Sequence, residues 1–319
     1  MTQHTRTDVV IVGGGAAGLS AALVLGRARR RVVVVDAGSP RNAPAAHMQG
    51  FLSRDGMPPA ELLAIGREEV EGYGVAIVAG TVATATTHPT ATGAVGFVVG
   101  LADGTTLPTR RILVTTGVSD DLPPIPGVRE RWGRDLLHCP YCHGWEVRDQ
   151  PLGVLGTHPG AVLHALLVRQ WSDDVVLFAH TLDLTPADRE QLAARDIDVV
   201  EGEVARLVVD DDHLVGVALA DGRVVARSAV FVRPRNVPHP DGLLAGLGAD
   251  VDADGFPVVD RDGRTSVSGV WAAGNAVDPR GSVITAAGAA ASAAMSVNAD
   301  LVQADVRDAM ATADAVVSR

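Results

Sequence analysis

Short apolar runs that stop at glycines divide this chain into strand-and-helix units. Asp8-Val9-Val10-Ile11-Val12 is apolar without alternation, the pattern of a strand buried on both faces of a parallel sheet. It runs straight into Gly13-Gly14-Gly15-Ala16-Ala17-Gly18, then into a helical pattern over Leu19–Arg27. A second apolar run, Arg31–Val35, ends in Asp36. The same order recurs at 151–162, where a strand and a glycine turn precede a helix, and Val175–Phe178 forms the next strand. Arg111–Val114 leads into Thr115-Thr116-Gly117, and a strand over Thr265–Ala273 closes on Gly274-Asn275. Val283-Ile284-Thr285-Ala286-Ala287-Gly288 opens a helix of small residues. The tail Asp300–Arg319 keeps a helical small-residue pattern, suited to the surface or a dimer contact. Asp210-Asp211-Asp212, between apolar segments, reads as a hairpin turn rather than a metal site. Strands alternating with helices predict an α/β protein with parallel sheets.

The first glycine turn has the spacing G-x-G-x-x-G between a strand and a helix, as the dinucleotide-binding unit requires. Gly13 makes the tight turn, and Gly15 lets backbone N–H groups approach a pyrophosphate at the helix N-terminus. Gly18 permits close helix–strand packing. Asp36 follows Gly13 by 23 residues, the expected place for an acid that binds a ribose hydroxyl. Arg41 lies just beyond, within reach of adenine or pyrophosphate, or in a solvated loop.

With 319 residues the chain accommodates two domains, and 47% hydrophobic with 20% charged residues is ordinary globular material. The formal net charge is -11 and every basic residue is Arg, so no basic stripe exists to neutralise phosphates. That excludes nucleic acid as a partner; the missing Lys reads as codon usage. The apolar helical stretch Ala286–Met295 is built of small residues and is too short for a membrane span. The N-terminus enters a strand within a few residues, leaving no signal peptide, so the expected address is the reducing cytoplasm. There a cysteine pair is more readily catalytic than structural.

Both cysteines of the chain fall in His138-Cys139-Pro140-Tyr141-Cys142-His143. Cys-x-x-Cys is a redox pair that can close into a disulfide. Cys-x-x-Cys-His is also the attachment motif of c-type haem, and two Cys with two His could hold zinc. A cytoplasmic address argues against haem attachment. Four ligands within six residues do not easily surround one ion, which argues against zinc, so no metal is expected.

The strands ending in Thr116-Gly117 and Gly274-Asn275 resemble the second and third fingerprints of flavoproteins with two dinucleotide domains. Together with the Cys pair, they make the whole chain similar to low-molecular-weight thioredoxin reductases. The string Cys139-Pro140-Tyr141-Cys142-His143-Gly144-Trp145-Glu146 resembles one branch more closely, the flavin-dependent dithiol oxidases of gliotoxin- and holomycin-type natural products. The resemblance implies two Rossmann-like domains. An FAD domain at 1–118 and 240–319 would be split by an insert at 119–239 that carries the Cys pair. The family's usual Gly-Asp is Gly274-Asn275 here, which keeps hydrogen bonding toward the flavin's ribityl chain without charge. The helix opening at Ile284 and Thr285 would aim its positive end at the flavin. Gln49 would approach the isoalloxazine and the backbone at Val82 the adenine.

The insert departs from the reductases. Where its second fingerprint glycine belongs, the chain has His158, followed by Pro159. A side chain there fills the phosphate space, and Pro removes a donor. The arginines expected after Val175–Phe178 are missing from Ala179-His180-Thr181-Leu182-Asp183-Leu184. Without NADPH, electrons enter through the Cys pair and leave through the flavin to O2, giving hydrogen peroxide. By resemblance Cys142 lies nearest the flavin and Cys139 exchanges with a small-molecule dithiol, in a homodimer. His143, beside the second Cys, is the expected general acid–base, with His138 as second choice. Trp145 would wall the flavin or fill core. The alternatives are a disulfide reductase fed by NADPH or ferredoxin, and a non-catalytic flavoprotein that senses redox state.

Overall fold

The computed structural model describes residues 7–89, 95–239 and 242–317. They form two compact units, 1–41 with 60–119 and 237–319, and 42–59 with 120–236. The later crossings between them run through Val118–Asp121 and Arg235–Pro238, short strands paired with each other.

The first unit is built on β1 (Thr7–Val12), α1 (Ala16–Arg27), β2 (Val32–Asp36), α2 (Pro59–Glu71), β3 (Ala76–Ala79), β4 (Val82–Pro89), β5 (Val95–Leu101) and β6 (Thr106–Val114). Its sheet has the order β3-β2-β1-β6-β5-β4. One edge of β6 is shared: Thr106–Thr109 pair antiparallel with β5, and Ile112–Val114 pair parallel with the strand Val270–Ala272. Val9 and Ile11 pack on one side against Ala21, Ala22 and Leu25 of α1 and against Ala290, Ala294 and Val297. Val10 and Val12 pack on the other side with Phe97, Val99, Ile112 and Val114. Burial on both faces is why β1 carries an unbroken apolar run.

Two elements differ from the sequence expectation. Helix α1 starts at Ala16 rather than Leu19, because extended Gly15 already serves as its N-cap. The strand expected over Thr265–Ala273 shrinks to Val270–Ala272. Thr265 Oγ1 donates to the carbonyls of Val267 and Val270, and Gly269 turns the chain at φ 89°. The tail is helical as expected, continuing the last helix, which runs unbroken over Val283–Val317. Leu301 and Ala304 are buried, while Met295, Val302, Val306 and Met310 on the same helix are exposed.

The second unit holds a five-stranded parallel sheet in the order Asp198–Val200, Val175–Phe178, Leu152–Leu155, Ala229–Phe231, Leu136–Leu137. Helices Ala161–Val168 and Pro186–Ala193 make its crossovers. An antiparallel sheet of Val204–Asp210, His213–Leu219 and Val224–Ala226 packs beside it through Leu207, Leu214 and Val217. Asp211 and Asp212 form the expected hairpin turn, with φ of 44° and 60°, and Asp212 also pairs with Arg131 and Arg134. Among the described residues no helix is long and apolar enough to cross a membrane.

An ion-pair network fastens the amino-terminal end of the first unit. Asp8 is 5% exposed and accepts from Arg31 Nη2 at 3.0 Å, Arg31 N at 3.0 Å and Arg110 Nη1 at 3.3 Å. Asp305 on the last helix takes Arg30 and Arg110, both at 2.7 Å. Burial alone would raise the Asp8 carboxyl, but hydrogen bonds from Arg31 and Arg110 hold it below the usual carboxylate value. A depressed folded-state value stabilises the fold above the unfolded value and loses that stabilisation as pH falls. Asp8→Asn is expected to cost about 2 kcal/mol at pH 7. The difference from the parent should shrink toward zero below roughly pH 3 in urea unfolding curves.

Candidate active site

Three sequence motifs of the first unit leave the sheet at one level. Val12 pairs with Val114, and Val114 with Ala272, so the glycine turn, Thr115-Thr116-Gly117 and Gly274-Asn275 leave three neighbouring parallel strands together. Gly13 takes φ 106°, and a Cβ there would lie 2.4 Å from the Thr115 carbonyl oxygen. A Cβ on Gly18 would lie 1.8 Å from the Gly13 oxygen, so only glycine allows α1 to start this close to β1. A Cβ on Gly14 would lie 2.6 Å from the Asp36 carboxyl carbon. Gly15 is different: nothing in the chain lies within 4 Å of where its Cβ would be. Its face is an open cradle at the N-terminus of α1, flanked by Ala16 and Ala17, and it fits the pyrophosphate of a dinucleotide.

The residues around this cradle are distributed as follows. Asp36 accepts from Gly14 N at 3.3 Å and Gly38 N at 3.1 Å, and its other oxygen pairs with Arg67 at 2.5 Å. Thr115 Oγ1 donates to the carbonyls of Val12 at 3.0 Å and Gly13 at 2.9 Å, fixing the turn. No sequence signal points to Arg67, and Thr115 is placed only within the string Thr115-Thr116-Gly117, not as the residue that fixes the turn. Thr116 and Gly117, at φ 79°, continue past the strand end. A Cβ on Gly274 would lie 2.7 Å from the Ala17 Cβ. Arg41 donates to the Pro279 carbonyl at 2.7 Å. Val82 begins β4 with its side chain in the core, opposite Leu101. Ile284 and Thr285 occupy the first turn of the last helix, and both are exposed. Gln49 belongs to the other unit, within the 42–59 loop.

Asn275 spends its amide within the chain. Nδ2 donates to the carbonyls of Asp278 and Gly281, both at 2.8 Å, which closes the loop before the last helix. An Asp has no donor for either carbonyl.

The second unit carries the cysteines. Leu136–Leu137 ends at His138, and Cys139 is the N-cap of a single helical turn, Pro140–His143. Pro140 takes the first helical position, where no N–H is needed. Cys142 N and His143 N both donate to the Cys139 carbonyl at 3.1 Å. Cys139 and Cys142 are joined as a disulfide, with Cα atoms 5.2 Å apart. Gly144 follows because a Cβ there would meet the Pro140 oxygen at 2.5 Å and the Trp171 ring at 2.7 Å. Tyr141 stands edge-on to Trp171 at 5.6 Å. Trp145 does not fill core; it is 65% exposed, with the Arg148 guanidinium 4.0 Å from its ring centre.

Four histidines flank this turn and the insert's glycine loop. His143 is half-buried, and burial holds its imidazole below the ordinary 6.5, partly offset by Glu146. The His138 ring lies 6.5 Å from Trp132 and 6.3 Å from His164. His164 Nε2 donates to the His138 carbonyl at 2.9 Å, and burial first, then nearby charge, lowers its value to about 4. His158 Nδ1 accepts from Gly160 N at 2.9 Å. The imidazole thus takes a backbone donor of the loop in which a nucleotide phosphate would seek one. After Val175–Phe178, His180 Nδ1 accepts from Val204 N at 2.9 Å and serves the fold.

A family model for the pyridine nucleotide-disulphide oxidoreductases matches residues 7–294. The crystal structure of HlmI aligns with a TM-score of 0.95 at 60% identity, covering 99% of each chain. An oxidoreductase from Agrobacterium tumefaciens aligns with a TM-score of 0.86 at 35% identity, covering 93% of this chain and 99% of that one. Thioredoxin reductase sirT of Leptosphaeria maculans is 30% identical, over 94% of this chain and 95% of its own.

Asn275→Asp sets an anion against two carbonyl oxygens and removes two donors. The expected loss is about 1–3 kcal/mol in urea unfolding at pH 7. Part of it should return once the carboxyl is protonated, because the neutral acid regains one donor.

Proposed function

The chain belongs to the pyridine nucleotide-disulphide oxidoreductases, and we propose that it is the HlmI-like dithiol oxidase of that family, closing a disulfide in a small-molecule natural-product dithiol. Its fold is that of the low-molecular-weight thioredoxin reductases. The family implies a flavin, and the open cradle at Gly15 suits FAD, with Asp36 toward the ribose and Thr116, Gly117, Gly274 and Asn275 along the cofactor. One observation carries the direction of electron flow. The redox disulfide sits in a unit whose nucleotide loop already gives its Gly160 N–H to its own His158.

The resting enzyme holds Cys139 and Cys142 as a disulfide. A substrate thiolate attacks the Cys139 sulfur, forming a mixed disulfide and releasing Cys142 as thiolate. The second substrate thiol loses its proton to His143 and attacks the substrate sulfur already bound to Cys139. The product disulfide closes, Cys139 departs as thiolate, and the electron pair stays on the two cysteines. A flavin held at the Gly15 cradle would supply the two-electron acceptor for that pair and, with two protons, the route to O2 as hydrogen peroxide. His143 suits the base role because burial keeps it unprotonated at neutral pH. The enzyme acts as a homodimer.

Anaerobic mixing distinguishes this reading from a reductase. A small dithiol is expected to bleach the flavin's visible absorbance, with recovery and peroxide on admitting air; rapid bleaching by NADPH would sink the proposal. Cys142→Ser should retain flavin yet pass it no electrons from dithiol. The acid limb of kcat/KM should lie below pH 6.5. His143→Asn should remove that limb and slow turnover by about 10²–10⁴-fold.

A further inference from the structure

We propose that Arg233 is the electrostatic partner of the Cys139 thiolate, making Cys139 the better leaving group of the pair. This rests on the dithiol-exchange reading given above. Leu137 pairs with Phe231, and Val154 pairs with Phe231 on its other side. Val232 N donates to the Leu137 carbonyl at 2.8 Å, so the register persists past the strand ends. Two residues beyond that shared level stand Cys139, Arg233 and Gly156, each leaving one of three neighbouring parallel strands.

Arg233 is half-buried, and among the described residues no carboxylate pairs with it. Its guanidinium lies over the start of the helix Ala161–Val168: a Cβ on Gly160 would meet Nη1 at 2.5 Å. Its charge is felt around the crest, where it helps lower both His158 and His164 after burial has done so. With those two imidazoles neutral, Arg233 is the standing positive charge among the three. The titratable and charged groups near the crest are His138, His143 and Glu146 on the cysteine's own segment, and His158, His164 and Arg233 on the elements beside it. A half-buried guanidinium without a counter-anion is costly to keep unless an anion forms beside it.

The dithiol reaction forms such an anion. When the second substrate thiolate attacks the mixed disulfide, the bond between the substrate and Cys139 breaks, and Cys139 leaves with the electron pair as thiolate. A thiol of lower pKa leaves faster, and a stabilised thiolate makes the parent disulfide more oxidising.

Cys142→Ser leaves Cys139 as the sole thiol of the full-length flavoprotein, so its titration can be read from iodoacetamide alkylation rates across pH. Adding Arg233→Gln is expected to raise the Cys139 pKa by about one unit, a roughly tenfold loss of thiolate at neutral pH. Arg233→Lys should keep most of the parent value, because it keeps the charge. A purely structural arginine would leave the thiol pKa unmoved in folded Arg233→Gln protein, checked by its melting transition, and that result overturns the inference. An unchanged pKa with a raised KM only for carboxylate-bearing dithiols also overturns it, since Arg233 would then read the substrate. The alkylation readout needs no turnover, so it stands or falls separately from peroxide production.

Discussion

Strands that end at one level are the constraint on which both units depend. Hydrogen-bond register between parallel neighbours fixes Val12, Val114 and Ala272 side by side. Three loops distant in sequence therefore open onto one crest. The turn at Gly13 works only because α1 begins immediately, and α1 can begin there only because Gly18 has no side chain to strike the Gly13 carbonyl. Thr115 bonds this corner from the adjacent strand. Loosening any of these contacts would move the open face at Gly15, although no side chain of the cradle points there.

The second unit repeats the constraint with different chemistry. Its crest holds the exits of Leu136–Leu137, Leu152–Leu155 and Ala229–Phe231. Here one exit carries the redox cysteine, one the glycine loop occupied by His158, and one Arg233. A two-residue strand at the end of the sheet order holds the cysteine segment by few ladder bonds. Much of its positioning comes from elsewhere, through the His164 bond to the His138 carbonyl and the packing of Trp171 under Gly144.

Local chemistry made much of this legible in the sequence. The glycine spacing, the Asp36 position and the Cys pair each depend on neighbours a few residues away, and periodicity located most strands near them. Arg67, His164 and Arg233 stayed hidden because each acts across 26 residues or more of chain, with no spacing rule to reveal it. The 42–59 loop has neither strand nor helix, so its grouping with the second unit left no mark in the pattern. Trp145 reads as flavin wall or core, yet it follows the four-residue helical turn and stands exposed. Thr265–Gly269 looked like strand because its residues favour extended backbone, yet Thr265 bonds its own loop instead.

The imidazole of His158 matters beyond the geometry of its loop. A protein that handed electrons to oxygen while accepting them from NADPH would consume the cell's main reductant in an idle cycle, with peroxide as its only product. A nucleotide-type domain whose phosphate loop is satisfied from within separates those two pools. Under the proposed oxidase reading, oxygen draws only on thiols that reach the cysteines, and each peroxide released corresponds to one disulfide made.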